Sequence, residues 1–177
     1  MFFESAKSFA LHLEHWGRRE IMLKHILIIE DDSTQEFLVR KVVRERGFKP
    51  VVLVSLRHAL EFLDEYKGKD GLGVMTDLYF PADYDSLTGT NSAEGYVMQP
   101  LGALVMAECK ARGIPCVIVT AGHHHGQKYN EICVASHLLK WPMMIDSATS
   151  IDGESPHKNW EEGLSQLCKI FEVSIDH

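Results

Sequence analysis

The feature that most constrains this fold is a repeated alternation between short apolar segments and longer amphipathic ones. The run HILIIE at 25–30 is rich in β-branched residues and bounded by charges, which predicts a buried strand. Further strands are predicted at 50–55 (PVVLVS), 73–80 (GVMTDLYF), 115–122 (PCVIVTAG) and 136–142 (SHLLKWP). Strands that alternate with helices predict an α/β fold with a parallel sheet covered on both faces.

The segments between these strands have helical periodicity. After the first strand, Leu38, Val39 and Val42 lie on one helical face, Ser33 or Thr34 is a candidate cap, and Gly47 is the predicted stop. Helices are predicted at about 34–46, 57–67, 100–112, 126–135 and 159–172.

The predicted organisation is one domain at 23–177, preceded by a helical extension at 1–22 and interrupted by an inserted loop at about 81–99. Two interpretations of the extension stay open, namely packing back on the domain or forming a dimer contact. Met22 is an alternative start to Met1.

Composition narrows the class of protein. A net charge of −7 argues against a general nucleic-acid-binding surface. No apolar run approaches the roughly 18 residues that would span a membrane, and the N-terminal segment contains acids, unlike a signal peptide. The four cysteines form no CxxC pair, so we expect reduced, buried thiols and a cytoplasmic location.

Polar residues stand at the ends of several predicted strands. Glu30 and Asp31 follow the first strand, Asp77 lies in the third, Thr120 follows the core of the fourth, and Lys140 lies in or after the fifth. Functional sites of parallel sheets collect at the carboxyl ends of the strands, so these side chains are expected to converge. Three carboxylates suit Mg²⁺, which would also offset their mutual repulsion.

Four segments together resemble the receiver domain of bacterial two-component response regulators. They are ILIIEDD, VMTDLYFP, IPCVIVTAG and LLKWP, and the resemblance runs from about Lys24 to Pro142. It implies a doubly wound, flavodoxin-like sheet of five parallel strands in the order 2-1-3-4-5.

The resemblance also implies roles for individual residues. Asp77 would be the phosphorylated nucleophile, Thr120 would hydrogen-bond the phosphoryl group, and Lys140 would pair with it. The implied Mg²⁺ ligands are Glu30, Asp31, Asp77 and the carbonyl of Tyr79. Asp32 fits best as an acid at the N-terminus of the following helix.

The sequence departs from that family in three places. The segment between Asp77 and Gly102 is about a dozen residues longer than the family's usual loop. Trp141 separates Lys140 from the proline that the family has next to its lysine, and the run GHHHG at 122–126 is either a solvated loop or a metal or phosphate contact.

The primary hypothesis is a stand-alone receiver, phosphorylated on Asp77 with Mg²⁺ by a histidine kinase or phosphotransfer protein. It would signal through a downstream protein, without DNA or membrane binding, as a possible homodimer, and with no enzymatic activity beyond its own phosphorylation and dephosphorylation. The alternatives are a phosphorylation-independent interaction module, favoured by the insertion and Trp141, and a small metal-dependent phosphohydrolase that would use His123–His125.

Overall fold

A computed structural model describes residues 23–66, 71–80, 99–121, 134–146 and 158–175. Within them the sheet consists of β1 (His25–Ile29), β2 (Lys49–Leu53), β3 (Leu72–Thr76), β4 (Cys116–Ala121) and β5 (Met143–Asp146). The helices are α1 (Ser33–Glu45), α2 (Leu56–Glu65), α3 (Gly102–Ala111), α4 (134–139) and α5 (Trp160–Ile175). The predicted extension at 1–22 and His123–His125 lie outside the described residues, as do residues 81–98 of the predicted insertion.

All five strands are parallel and follow the order β2-β1-β3-β4-β5. The predicted fold class is therefore confirmed. The order places β1 and β3 side by side, with Ile29 opposite Thr76 at their carboxyl ends. The residues that directly follow β1 and β3 therefore lie next to each other at the same edge of the sheet.

The sheet is buried on both faces because successive strand side chains point in opposite directions. Leu27 and Ile29 belong to a core cluster on one face, which includes Ala59 and Leu63 of α2 and Val105 of α3. On the other face, Ile26 and Ile28 pack in a cluster with residues of α1 and α5, namely Val39, Val43, Trp160, Leu164 and Leu167. Helices therefore cover both faces of the sheet and leave its carboxyl edge as the place where the strand-end residues meet.

Helix α1 begins at Ser33, one residue before the predicted start, so the prediction of Ser33 or Thr34 as its cap is wrong. Asp32 is its N-cap, and its Oδ1 accepts hydrogen bonds from the backbone N–H groups of Thr34 (2.7 Å) and Gln35 (3.2 Å). The prediction of Asp32 as a helix N-terminal acid is confirmed, and the helix ends before Gly47, which has a φ of +83°.

A fifth strand is present as predicted, but its predicted position at 136–142 is wrong. Residues 134–139 of the described chain are helical, and β5 begins only at Met143. The helix is closed by Lys140, which has a φ of +52°, while the N–H of Trp141 donates to the carbonyl of Ser136 at 2.8 Å. Leu138 is 73% exposed, so the apolar run that favoured a buried strand does not enter the sheet.

The two ends of the predicted insertion meet beside β3. Phe80 and Gln99 form an isolated antiparallel bridge, and the N–H of Phe80 donates to the carbonyl of Gln99 at 3.3 Å. The described residues on either side of 81–98 are therefore adjacent, with Phe80 three residues after Asp77. Among the described residues, no helix is long and apolar enough to cross a bilayer.

Candidate functional site

Three predicted acids converge at the carboxyl edge of the sheet. Glu30 follows β1 and Asp77 follows β3, and the N–H of Asp77 donates to the carbonyl of Ile29 at 2.9 Å. Glu30, Asp31 and Asp77 each offer a carboxylate oxygen, and these oxygens lie within 4.8 Å of one another. The sheet register is therefore what brings residues nearly fifty positions apart into one cluster.

The acids differ in their environment. Glu30 and Asp77 are buried, whereas Asp31 is half-buried. One oxygen of Glu30, Oε1, accepts a hydrogen bond from the N–H of Asp32 at 3.1 Å, and Asp77 Oδ1 accepts one from the N–H of Leu78 at 2.6 Å. Each buried carboxylate thus has one oxygen fixed by the backbone and a second oxygen directed to other partners.

Those second oxygens bind a lysine that sequence reasoning missed. Lys158 Nζ lies 2.8 Å from Asp77 Oδ2 and also forms an ion pair with Glu30 Oε2. The lysine side chain is only 7% exposed, and Nζ lies 5.6 Å from the centre of the Trp160 ring. A single ammonium group therefore bridges the acids that follow β1 and β3.

Little in the sequence indicates this lysine. It lies two residues before α5, near the end of the polar sequence SATSIDGESPHKN, which has no periodic pattern. Its one signal is electrostatic, because a cation just before a helix N-terminus opposes the helix dipole and needs acidic partners.

The structure does not bring Lys140 to the acids, which corrects the prediction that it completes this site. β5 runs parallel to β4 and starts opposite Ile118, so Lys140 precedes the amino end of β5. There it is exposed beside Ile114 and Pro115, near the start of β4. The resemblance of LLKWP to the end of a strand does not hold, because β5 begins directly after the proline rather than ending there.

Burial and charge shift the titration of this cluster. Burial raises the pKa of Glu30 to about 7, although Lys158 opposes the shift, and burial also raises the pKa of Asp31. For Lys158, burial alone would lower the pKa, but the negative charges of Asp77 and Glu30 raise it by more, so the net direction is upward. The lysine therefore remains an ammonium ion at neutral pH.

Thr120 lies at the same edge of the sheet, near the end of β4. The residue is fully buried, and within the described part of the chain its hydroxyl has no hydrogen-bond partner. An unpaired buried hydroxyl is costly, so a site of this kind favours an incoming group that bonds it.

The backbone after β3 is fixed by a close contact with α3. A Cβ atom on Gly102 would lie 2.1 Å from the carbonyl oxygen of Asp77, and the N–H of Gly102 donates to the carbonyl of Leu78 at 3.0 Å. Only glycine permits this approach without a backbone shift. Tyr79 follows in the same connection and is half-buried, and its carbonyl as a metal ligand stays a prediction.

The donor set fits a hard divalent cation. Mg²⁺ takes oxygen ligands in an octahedron with bonds of about 2.1 Å, so two of its ligands are separated by at most about 4.2 Å. The oxygens of Glu30, Asp31 and Asp77 need only small movements from their present spacing to meet this limit. When all three carboxylates are ionised, they exceed the one ammonium group by two negative charges, which one such ion neutralises.

Comparison with known proteins identifies the fold. No family model and no curated protein matches the sequence. Among solved structures, the chain is similar to a response regulator receiver domain protein from Clostridium thermocellum, with a TM-score of 0.53, 17% identity and coverage of 85% of this chain and 98% of that one.

Two further solved structures agree with that comparison. The signal receiver domain of a putative Luxo repressor protein from Vibrio parahaemolyticus matches with a TM-score of 0.52 and 16% identity. The matched region covers 86% of this chain and 93% of the Vibrio chain. A CheY-like receiver domain protein from Methanospirillum hungatei also has a TM-score of 0.52, with 17% identity and coverage of 85% and 98%. The chain therefore has the fold of response regulator receiver domains, with a strongly diverged sequence.

Proposed function

We propose that this protein is a receiver that is phosphorylated on Asp77 in a Mg²⁺-dependent reaction. The observation that carries the proposal is the convergence of Glu30, Asp31 and Asp77 around one buried ammonium group, at the carboxyl edge of a receiver fold. The fold alone does not assign an activity, but the proposal is supported by a cluster that combines a carboxylate suited to nucleophilic attack, an oxygen donor set suited to a cation, and a positive charge.

Each residue has a physical role in this proposal. Asp77 attacks phosphorus through a carboxylate oxygen, and the bond to the leaving group breaks with its electron pair as the acyl phosphate forms. Lys158 Nζ, 2.8 Å from Asp77 Oδ2, neutralises charge that develops on the phosphoryl oxygens. The Thr120 hydroxyl, which has no partner among the described residues, donates a hydrogen bond to one of these oxygens. Mg²⁺, when held by the three carboxylates, supplies further neutralisation of that charge.

The donor and the target follow from the same proposal. A phosphohistidine on a histidine kinase or phosphotransfer protein would supply the phosphoryl group, and a downstream protein would bind the phosphorylated form. The chain's net charge of −7 favours a protein target over DNA.

The direct test is labelling with acetyl phosphate and Mg²⁺, followed by intact-protein mass spectrometry. We expect addition of one phosphoryl group to the wild type and to the control Asp64→Asn, whose aspartate side chain is 70% exposed on α2. Asp77→Asn should remain unlabelled, and chelation of Mg²⁺ should abolish labelling. Labelling that persists in Asp77→Asn would refute the assignment of the nucleophile.

A second candidate function is a phosphorylation-independent interaction module. The observation that favours it is the bridging ammonium of Lys158, which partly neutralises Asp77 and Glu30 without any ion. This candidate predicts no labelling and no effect of Mg²⁺ on thermal stability. The labelling experiment therefore separates the two functions, provided that Mg²⁺ binding is measured in parallel.

A further inference from the structure

The side chain of Gln35 has an unusual set of partners for its position. Gln35 is the third residue of α1, and Asp32 is the N-cap. In a capping box, the side chain at this position normally accepts a hydrogen bond from the N–H of the N-cap residue. Here that N–H is already bound by Glu30 Oε1 at 3.1 Å, so Gln35 is not required for the cap.

Gln35 instead binds the segment that carries the bridging lysine. Its Oε1 accepts a hydrogen bond from the backbone N–H of Lys158 at 3.3 Å and another from the indole Nε1–H of Trp160 at 3.2 Å. Gln35 and Trp160 are both buried, with 3% and 2% exposure. One buried oxygen thus joins the first turn of α1 to the start of α5.

This contact involves both the backbone of Lys158 and the ring beside its ammonium group. Lys158 lies outside any strand or helix, and its backbone N–H binds Gln35 Oε1. The ring of Trp160, oriented by the same oxygen, lies 5.6 Å from Lys158 Nζ. The lysine is therefore held at its backbone by Gln35 and at its side chain by Asp77 and Glu30.

We infer that Gln35 is a positioning residue that places the Lys158 ammonium between Asp77 and Glu30. The inference rests on the proposed function, since it assigns the control of the lysine that would stabilise phosphoryl transfer to Asp77. It also explains how a lysine that lies outside any strand or helix holds a defined position beside Asp77 and Glu30. In this assignment Gln35 acts through Lys158 and does not itself bind the phosphoryl group or the metal.

The first experiment measures the position of Lys158 without using phosphorylation. Brief treatment with acetic anhydride and peptide mass spectrometry gives the acetylation of Lys158 relative to Lys41, whose side chain is 63% exposed. Wild type should show a protected Lys158, and Gln35→Leu should raise the ratio by about tenfold, which corresponds to the loss of about 1.4 kcal/mol of hydrogen bonding that holds the lysine in place. Gln166→Leu on α5 is the matched control and should leave the ratio unchanged.

Gln35→Asn is the second variant, because it keeps a buried amide but withdraws it by one methylene, which makes it milder if Gln35→Leu does not fold. We expect Gln35→Asn to raise the acetylation of Lys158 as well. Gln35→Glu retains an acceptor oxygen at the same distance from the backbone, so Lys158 should stay as protected as in the wild type. Protection of Lys158 in a folded Gln35→Leu or Gln35→Asn protein would overturn the inference.

The second experiment tests whether Gln35 acts through Lys158. With acetyl phosphate and saturating Mg²⁺, Gln35→Leu should slow labelling by about tenfold in the wild-type background and cause no further loss in a Lys158→Met background. Equal slowing in both backgrounds would overturn the positioning role. Absence of labelling in the wild type would instead refute the proposed function, and the acetylation ratio would then decide the role of Gln35 by itself.

Discussion

Replacement of Lys158 by methionine is the most informative single perturbation of this protein. Methionine retains most of the aliphatic volume beside Trp160 but removes the ammonium group that bridges Asp77 and Glu30. Both carboxylates then lose their only ion-pair partner among the described residues, in a place where water has little access.

The magnitude follows from the burial of the partners. The side chains of Lys158, Glu30 and Asp77 are 7%, 1% and 6% exposed, so this is a buried ion network rather than a surface pair. Removal of one partner from such a network typically costs about 3–5 kcal/mol. Because burial already raises the pKa of Glu30 to about 7, protonation of this carboxyl limits the loss, and we expect a value near the lower end, about 3 kcal/mol.

The assay is urea or thermal unfolding of the full 177-residue chain without divalent cations. In a chain of this size each kcal/mol shifts the melting temperature by about 2–4 °C, so we expect a decrease of about 6–12 °C. The matched control is Lys140→Met, an exposed lysine at the opposite end of the sheet, which should change stability by less than about 0.5 kcal/mol.

Addition of Mg²⁺ provides the second half of this prediction. The variant site has three carboxylates and no ammonium, so it should bind the cation more tightly than the wild type and recover more stability. A loss of less than about 1 kcal/mol, or equal losses for Lys158→Met and Lys140→Met, would contradict the assignment of Lys158 to this site.

Three further predictions concern neighbouring parts of the site. Because the pKa of Glu30 rises from 4.5 to about 7 on folding, the folded chain binds more protons than the unfolded chain between these pH values. The free energy of unfolding without Mg²⁺ should therefore fall as the pH rises from 4.5 to about 7. Urea titrations across this pH range with and without Mg²⁺ would check the prediction, and a flat profile without Mg²⁺ would contradict it. Thr120→Val should leave the melting temperature nearly unchanged or slightly higher while slowing acetyl phosphate labelling, and equal labelling would exclude the hydroxyl from the reaction. Gly102→Ala should lower the free energy of unfolding in urea by about 3 kcal/mol or more, since the new Cβ would lie 2.1 Å from the Asp77 carbonyl oxygen. The control Gly47→Ala has no atom within 4 Å of its Cβ, and its positive φ alone should cost about 1 kcal/mol.

Much of this architecture could be predicted from local patterns. The run Ile26–Ile29 has the β-branched, apolar character of a strand buried on both faces, and Asp32 lies at the N-terminus of the following helix, although the cap itself was expected one or two residues later. The convergence of Glu30 and Asp77 also followed from the sequence, because parallel strands place their carboxyl ends at one edge. These predictions succeeded because each depends on short-range periodicity and on a general rule of sheet topology.

The end of the sheet could not be predicted in the same way. In SHLLKWP, two adjacent leucines suggest a strand, but Leu138 and Leu139 are exposed on a helix and the strand follows them. A short apolar run does not distinguish a helix from a strand by periodicity. Because β5 was predicted too early in the sequence, Lys140 was expected at the carboxyl end of the strand, whereas it precedes the amino end.

The position of the lysine shows which property the site requires. An ammonium group stabilises Asp77 and Glu30 through its location, and its energy depends on distance and burial rather than on the element that carries it. A lysine at the end of β5 would be positioned by the strand itself, whereas Lys158 arrives from a loop and therefore needs fixed contacts of its own. The buried Gln35 oxygen and the ring of Trp160 supply those contacts, which is why this site extends from the strand ends to the first turn of α1.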